Sequence, residues 1–82
     1  SSDPSISEER AIVITRSILS GDGPVLAEPS CDLVVYRDDS GMAHLAWLVR
    51  LVTMEPMGDW EVLVDASNGN QLEVVDHMKY FD

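Results

Sequence analysis

The chain has 82 residues, 45% of them apolar, and its 15 acidic against 5 basic residues give a formal net charge of -10 at pH 7. A chain of this size forms one compact domain with a single core and has little room for a deep catalytic cleft. The negative charge repels nucleic-acid phosphates and anionic lipid surfaces, and no apolar run reaches the roughly 18 residues that a membrane span needs. We therefore expect neither an ordinary enzyme nor a protein that binds nucleic acid or inserts into a membrane.

The N-terminus and the cysteine content add little about the compartment. We interpret residues 1–5 as a linker or as the boundary of an excised fragment, with no basic-then-apolar leader. Cys31 is the one cysteine in the sequence, so it cannot form an internal disulfide. We expect it to be a free, buried thiol rather than a reactive one.

The first predicted element is an amphipathic helix over residues 7–21, SEERAIVITRSILSG. Ser7 suits the N-cap, and the two glutamates after it lie where the helix dipole favours negative charge. Gly21 supplies a left-handed stop. Val13 falls on the polar side of the helix. The apolar stripe, spaced at 3.6 residues, consists of Ala11, Ile12, Ile14, Thr15, Ile18 and Leu19.

Four strands are predicted after the loop of residues 21–31, whose two prolines disfavour a helix. Turn-forming residues at 38–41 and 54–58 separate the first three. The fold class predicted is therefore α+β, with one N-terminal α-helix packed on one face of a four-stranded antiparallel meander sheet. The strands are expected at residues 33–36, 42–53, 60–65 and 71–76.

The turn around Asn68-Gly69 decides the register of the last hairpin. A two-residue turn there would set Glu61 opposite Asp76, which brings two carboxylates together. A three-residue loop that starts at Ser67, with Gly69 in the left-handed bulge position, avoids this clash. We favour the second register, which gives the pairs Val64–Leu72, Leu63–Glu73 and Val62–Val74.

The preceding hairpin also has a register in which residues opposite each other have compatible side chains. Pairing Leu51 with Trp60 places Arg50 opposite Glu61, and opposite charges across a strand pair are stabilising. The same register gives the apolar pairs Val49–Val62, Leu48–Leu63 and Trp47–Val64.

These registers give the sheet one uncharged face for the helix and a second face, the outer face, with mixed character. The uncharged face carries Leu45, Trp47, Val49, Leu51, Trp60, Val62, Val64, Leu72 and Val74. The outer face carries an aliphatic patch of Ala46, Leu48, Leu63 and Val75. Its rim carries His44, Arg50, Glu61, Asp65 and Glu73. One helix cannot cover both faces, so the patch is either a docking surface or a set of ordinary exposed apolar residues.

The sequence contains no motif for catalysis or metal binding. His44 and His77 are far apart, without cysteines or carboxylates at ligand spacing around them. Residues 65–70 resemble the start of a calcium loop, but Gly69 stands at position five instead of six, and His77 occupies position twelve, where a glutamate is needed. We expect a turn there, and no catalytic residue, metal or cofactor.

Four short segments occur in a distinctive order: ISEERAI, LVVY, HLAWLVRL and WEVLVDASNGNQLEVV. The most specific parts are Leu45-Ala46-Trp47 and the pattern W-x-V-x-V-D-A-x-x-G, which runs from Trp60 to Gly69. Over roughly residues 6–76, the chain resembles the PepSY domain found in propeptides of secreted thermolysin-like zinc metallopeptidases. Leu48 departs from the family pattern, because a charged or polar residue is common at that position. The departure enlarges the apolar patch on the outer face.

The resemblance implies a non-catalytic module. Such propeptides act as intramolecular chaperones and inhibitors of the peptidase to which they are attached, until they are cut away. The implied partner is the catalytic domain of a zinc metallopeptidase in cis, and the implied location is secreted or extracytoplasmic, either periplasmic or extracellular. Residues 77–82 would then form the segment that leads towards the catalytic domain.

If the outer face docks on the partner, the expected contact residues form a centre and a rim. The centre comprises Ala46, Leu48, Leu63 and Val75, and the rim comprises Arg50, Glu61 and Glu73. Two other functions stay open. The chain could be a PepSY module of another secreted or membrane-anchored protein that regulates peptidase activity, or a generic protein-binding α+β domain.

Overall fold

The computed structural model describes residues 3–19, 28–54 and 57–77, which form one helix and one four-stranded sheet. Neighbouring strands are antiparallel and follow the chain order β1-β2-β3-β4, and the helix lies against one face of the sheet. The predicted α+β meander is therefore confirmed. The elements are α1 Glu8–Ile18, β1 Ser30–Arg37, β2 Ala43–Met54, β3 Met57–Asp65 and β4 Gln71–Asp76.

Helix α1 begins where the sequence indicates. The Ser7 side chain accepts a hydrogen bond from the backbone N–H of Arg10 at 3.1 Å, as an N-cap residue should. Val13 is 53% exposed, in agreement with its position on the polar side. The predicted stop at Gly21 lies outside the described residues. At 11 residues, α1 is too short to cross a membrane, and the described residues contain no other helix.

The register predicted for β2 and β3 is confirmed along its length. Leu48 lies opposite Leu63, and Arg50 lies opposite Glu61 with 3.1 Å between Nη2 and Oε2. Strand β3 starts earlier than predicted, at Met57, because the pairing with β2 continues towards the connecting turn.

The register of β3 and β4 agrees with the prediction at one end only. Val64 lies opposite Gln71, not opposite Leu72 as predicted. Leu72 is an extra residue in β4, and the strand pair accommodates it as a β-bulge. The other two predicted pairs, Val62–Val74 and Leu63–Glu73, are confirmed.

The loop of this last hairpin has four residues, 66–69, and not the predicted three. The N–H of Asp65 donates to the carbonyl of Asn70, and the N–H of Gly69 donates to the carbonyl of Asp65, each at 2.8 Å. Gly69 has a φ of +82°, so its predicted left-handed conformation is confirmed. The wider loop forms because the Asp65 carboxylate accepts the N–H of Ser67 at 2.8 Å, which turns the chain before the asparagine.

The hydrophobic core lies between α1 and the helix-facing side of the sheet. Its buried members are Leu19, Leu51, Val62 and Val64, with Ile6, Ile14, Ile18, Trp60 and Val74 packed around them. The segment before the helix is hydrogen-bonded to the sheet at the end where β3 finishes. Trp47 Nε1 donates to the carbonyl of Ile6 at 3.0 Å, and Ser5, which the sequence assigned to the linker, donates its N–H to the carbonyl of Ala66 at 2.8 Å.

Candidate docking surface

A strip of aliphatic side chains crosses the outer face of the sheet. Leu48 and Leu63 face each other at its centre and are half-buried. Val75, opposite Glu61, lies diagonal to Leu63, and Val34 of β1 lies diagonal to Leu48 on the other side. We call Val34, Leu48, Leu63 and Val75 the aliphatic strip. In the described residues the only helix packs on the opposite face, so no helix covers the strip.

Ala46 does not take part in this surface. Its side chain is completely buried, because it lies between Val34 and Asp65 on the neighbouring strands and is smaller than both. Ala46 therefore has no exposed side-chain surface in the described structure. Val34 is the residue that sequence reasoning missed, because strand β1 has no clear alternation of polar and apolar residues. Its position on the outer face follows from pairing β1 with β2.

The rim of the outer face contains charges that are already paired. Besides its contact with Arg50, Glu61 lies near His77, with 3.6 Å between Oε1 and Nε2. These three residues border a shallow depression of about 270 Å³, together with Asp59 and Trp60. The charged groups therefore make the rim polar, and Leu48 and Leu63 lie inside it as partly exposed apolar side chains.

His44 joins two turns at one end of the outer face. Its Nε2 lies 2.7 Å from Oδ2 of Asp38, and its Nδ1 lies 3.3 Å from Oδ2 of Asp65. Asp38 also organises its own turn, because its Oδ1 accepts the backbone N–H of Ser40 at 2.9 Å and that of Met42 at 3.0 Å. The imidazole thus bridges the β1–β2 turn and the end of β3.

The charges in this cluster stabilise one another. The hydrogen bond with Asp38 raises the pKa of His44, against the smaller effect of partial desolvation. Hydrogen bonds from Ser40 and His44 hold the pKa of Asp38 well below its usual range. For Asp65, burial acts to raise the pKa, but the hydrogen bonds from Ser67 and His44 outweigh it and lower the pKa.

This arrangement positions turns and offers no activated nucleophile. The hydroxyl of Ser67 donates to Asp65 at 2.6 Å, and that of Ser40 donates to Asp38 at 2.5 Å. Both nitrogens of His44 are engaged with carboxylates, so the imidazole does not act as a base towards either serine. The cluster can therefore hold a positive charge between two turns, and its geometry does not fit acyl transfer.

Two further kinds of chemistry depend on the placement of side chains: metal binding and thiol reactivity. Within residues 3–19, 28–54 and 57–77, no three His, Cys, Asp or Glu side chains come together in a way that could hold a metal ion. Cys31 is free and half-buried, and burial, helped by Glu8 and Asp32, raises the pKa of its thiol to about 11. At neutral pH this cysteine is therefore a thiol and a poor nucleophile.

No family model, no curated protein and no solved structure matches the chain.

Proposed function

We propose that this chain is a non-catalytic protein-binding module that docks on its partner through the outer sheet face. We further propose that the partner is the catalytic domain of a secreted zinc metallopeptidase, which the module helps to fold and then holds inactive. The docking proposal depends on one observation, the aliphatic strip across a sheet face that no described helix covers. The choice of partner is supported by the resemblance to PepSY propeptide domains.

The outer face has the physical properties that a folding template needs. Its centre lies on β2 and β3, which pair continuously, so the backbone that carries Leu48 and Leu63 is held from both sides. A preorganised surface loses little conformational entropy on binding. Since such a surface binds the native-like partner in preference to the unfolded one, it stabilises the folded peptidase by mass action.

Charge adds selectivity to this docking. The chain carries a net charge of -10, which favours encounter with a positively charged partner surface. Arg50, Glu61 and Glu73 surround the strip and are expected to tune the encounter rate more than the final affinity. Leu48 and Leu63 are expected to contribute most of the binding energy.

The test replaces the two central leucines by acids. Both side chains point away from the helix-packed core, so Leu48→Glu with Leu63→Glu should fold. Its stability should be lower, because the two new acids face each other between Asp32 and Glu73, and circular dichroism identifies the temperatures at which the variant is folded. Supplied in cis with the peptidase domain, the variant should lower refolding yield and inhibition by a factor of about ten or more, the scale expected for lost hot-spot contacts. A matched control, Val13→Glu with Ser17→Glu, adds the same charge on exposed positions of α1 and should behave as the unmodified chain. Normal chaperoning and inhibition by the folded double-leucine variant would exclude the outer face as the docking site.

A further inference from the structure

Among the described residues, strand β1 is an edge strand with no partner on the side that faces away from β2. The N–H of Asp38 donates to the carbonyl of Met42, which fixes the alternation of hydrogen bonds along the β1–β2 pair. Every second residue of β1 therefore directs its N–H and C=O away from β2, and no strand in the described part of the chain pairs with this edge. The residues with outward-directed groups are Cys31, Leu33, Val35 and Arg37.

The same edge also exposes aliphatic side chains. Leu33 is 41% exposed and Val35 is 70% exposed, on the helix-facing side of the sheet. Natural edge strands usually carry proline, lysine or inward-pointing charges that prevent pairing with another chain. Between Cys31 and Tyr36, β1 has one charged residue, Asp32, and no proline. This edge is therefore open to an added strand.

We propose that two copies of this chain associate through their β1 edges, antiparallel about a two-fold axis at Val34, to form one continuous sheet. In this register Val34 faces Val34 of the second copy, and Leu33 faces Val35 of the second copy. Leu33 and Val35 both direct their backbone groups outward, so each Leu33–Val35 pair exchanges two hydrogen bonds. The exposed aliphatic side chains then cover each other on one face.

The charges of the strand suit a second copy of this chain. The register sets Arg37, the one cation in β1, opposite Cys31 of the second copy. Burial is the main cause of the raised pKa of the Cys31 thiol, and the nearby carboxylates of Glu8 and Asp32 add to it. Each guanidinium thus approaches a negatively charged region, twice in the symmetric pair, and no like charges face each other.

The other edge of the sheet is less suited to self-pairing. Strand β4 contains two acids, Glu73 and Asp76, and no cation. Pairing two copies of β4 would join two acidic strands, with no cation in either strand to offset the charge, in an already acidic molecule. The contrast between the two edges favours β1 as the interface.

The first measurement is the mass of the unmodified chain in solution by sedimentation over a concentration series. We expect a species of twice the 9.1 kDa monomer mass, with association that strengthens as salt screens the net charge of -10 on each copy. A monomeric mass up to about 1 mM chain in high salt would overturn the proposal and leave the edge to a foreign strand.

The second measurement locates the interface. Val35→Glu should raise the dimer dissociation constant by a factor of about ten or more, because it places an acid in a paired apolar position. Val13→Glu, the same change at an exposed position of α1, should leave the constant unchanged. Equal constants for the two variants would exclude the β1 edge.

The third measurement tests the register and does not depend on weakening the dimer. In a Cys31→Ser background, Val34→Cys should form an intermolecular disulfide under mild oxidation, because the two-fold axis sets residue 34 opposite itself. Asp32→Cys in the same background should not, since its opposite residue is Tyr36. Cross-linking that is equal for both variants, or faster for Asp32→Cys, would contradict the proposed register.

Discussion

The imidazole of His44 connects to Asp65, with 3.3 Å between Nδ1 and Oδ2, and so links the start of β2 to the end of β3. Asp38 holds the other imidazole nitrogen, which makes His44 the centre of an acid–imidazole–acid bridge. The bridge is strongest when His44 is protonated and both carboxylates are ionised.

The stability of the domain should depend on pH through His44. The pKa of His44 is raised in the folded state. Its contribution to stability is therefore complete below the pKa of the unfolded chain, about 6.5, and is lost as pH rises through the folded pKa. The pKa values of Asp38 and Asp65 are lowered, so their contributions are present above about 3.9 and are lost as pH falls through the folded values. Thermal unfolding should therefore show the highest Tm between these limits and a Tm that declines as pH rises above about 6.5 and His44 loses its proton.

His44→Gln serves as the control for this prediction. The variant keeps a hydrogen-bonding side chain but does not titrate, so its Tm should decline less over the same alkaline range. Calorimetry of both proteins in matched buffers measures the two slopes. If the slopes are equal, His44 does not supply the pH dependence.

Two left-handed glycines provide a comparison of backbone strain with packing. Gly69→Ala and Gly41→Ala should each destabilise the domain by about 1–2 kcal/mol, because their φ angles are +82° and +89°. Gly69→Ala should cost more, since its new Cβ would lie 3.1 Å from Cδ1 of Ile14, whereas no heavy atom lies within 4 Å at Gly41. Urea unfolding measures both, and a larger cost at Gly41 would contradict this explanation.

Gly58 leaves space for the indole of Trp60. A Cβ at position 58 would overlap the indole ring, whose Nε1 donates to Oγ1 of Thr53 at 3.0 Å. Gly58→Ala should therefore displace the ring and lower the free energy of unfolding by about 1–3 kcal/mol, with a change in the near-ultraviolet circular dichroism. In a Trp60→Leu background the same change should cost less. An equal cost in both backgrounds would show that the indole is not the cause.

The contribution of one core valine to the free energy of unfolding can be measured by comparison with a surface valine. Val62 is completely buried between α1 and the sheet, so Val62→Ala should lower the free energy of unfolding by about 1–3 kcal/mol by opening a cavity. Val13→Ala removes the same atoms from an exposed helix position and should change the free energy little, or raise it through helix propensity. Similar losses for the two variants would place Val62 outside the cooperative core.

The sequence predicted the centre of the sheet better than its margins. The β2–β3 register could be predicted because apolar pairs and the Arg50–Glu61 pair demand the same alignment. The last loop could not, because its length depends on the Asp65 carboxylate, which caps the turn and cannot be recognised from the spacing of apolar residues. Strand β1 has no clear alternation of polar and apolar residues, so the position of Val34 on the outer face and the exposure of Val35 became visible only in the structure.

The attachment of Ser5 to Ala66 has a mechanical consequence. Ser5 lies at the end of the sheet where β3 finishes, whereas His77 bonds to Asp59 near the start of β3, with 2.7 Å between its N–H nitrogen and the carbonyl oxygen. The two places are separated by the length of β4, about 20 Å for six extended residues. A force applied between these ends would run along the strands. It would load the hydrogen bonds between β3 and β4 in shear, many at a time, rather than opening them one after another.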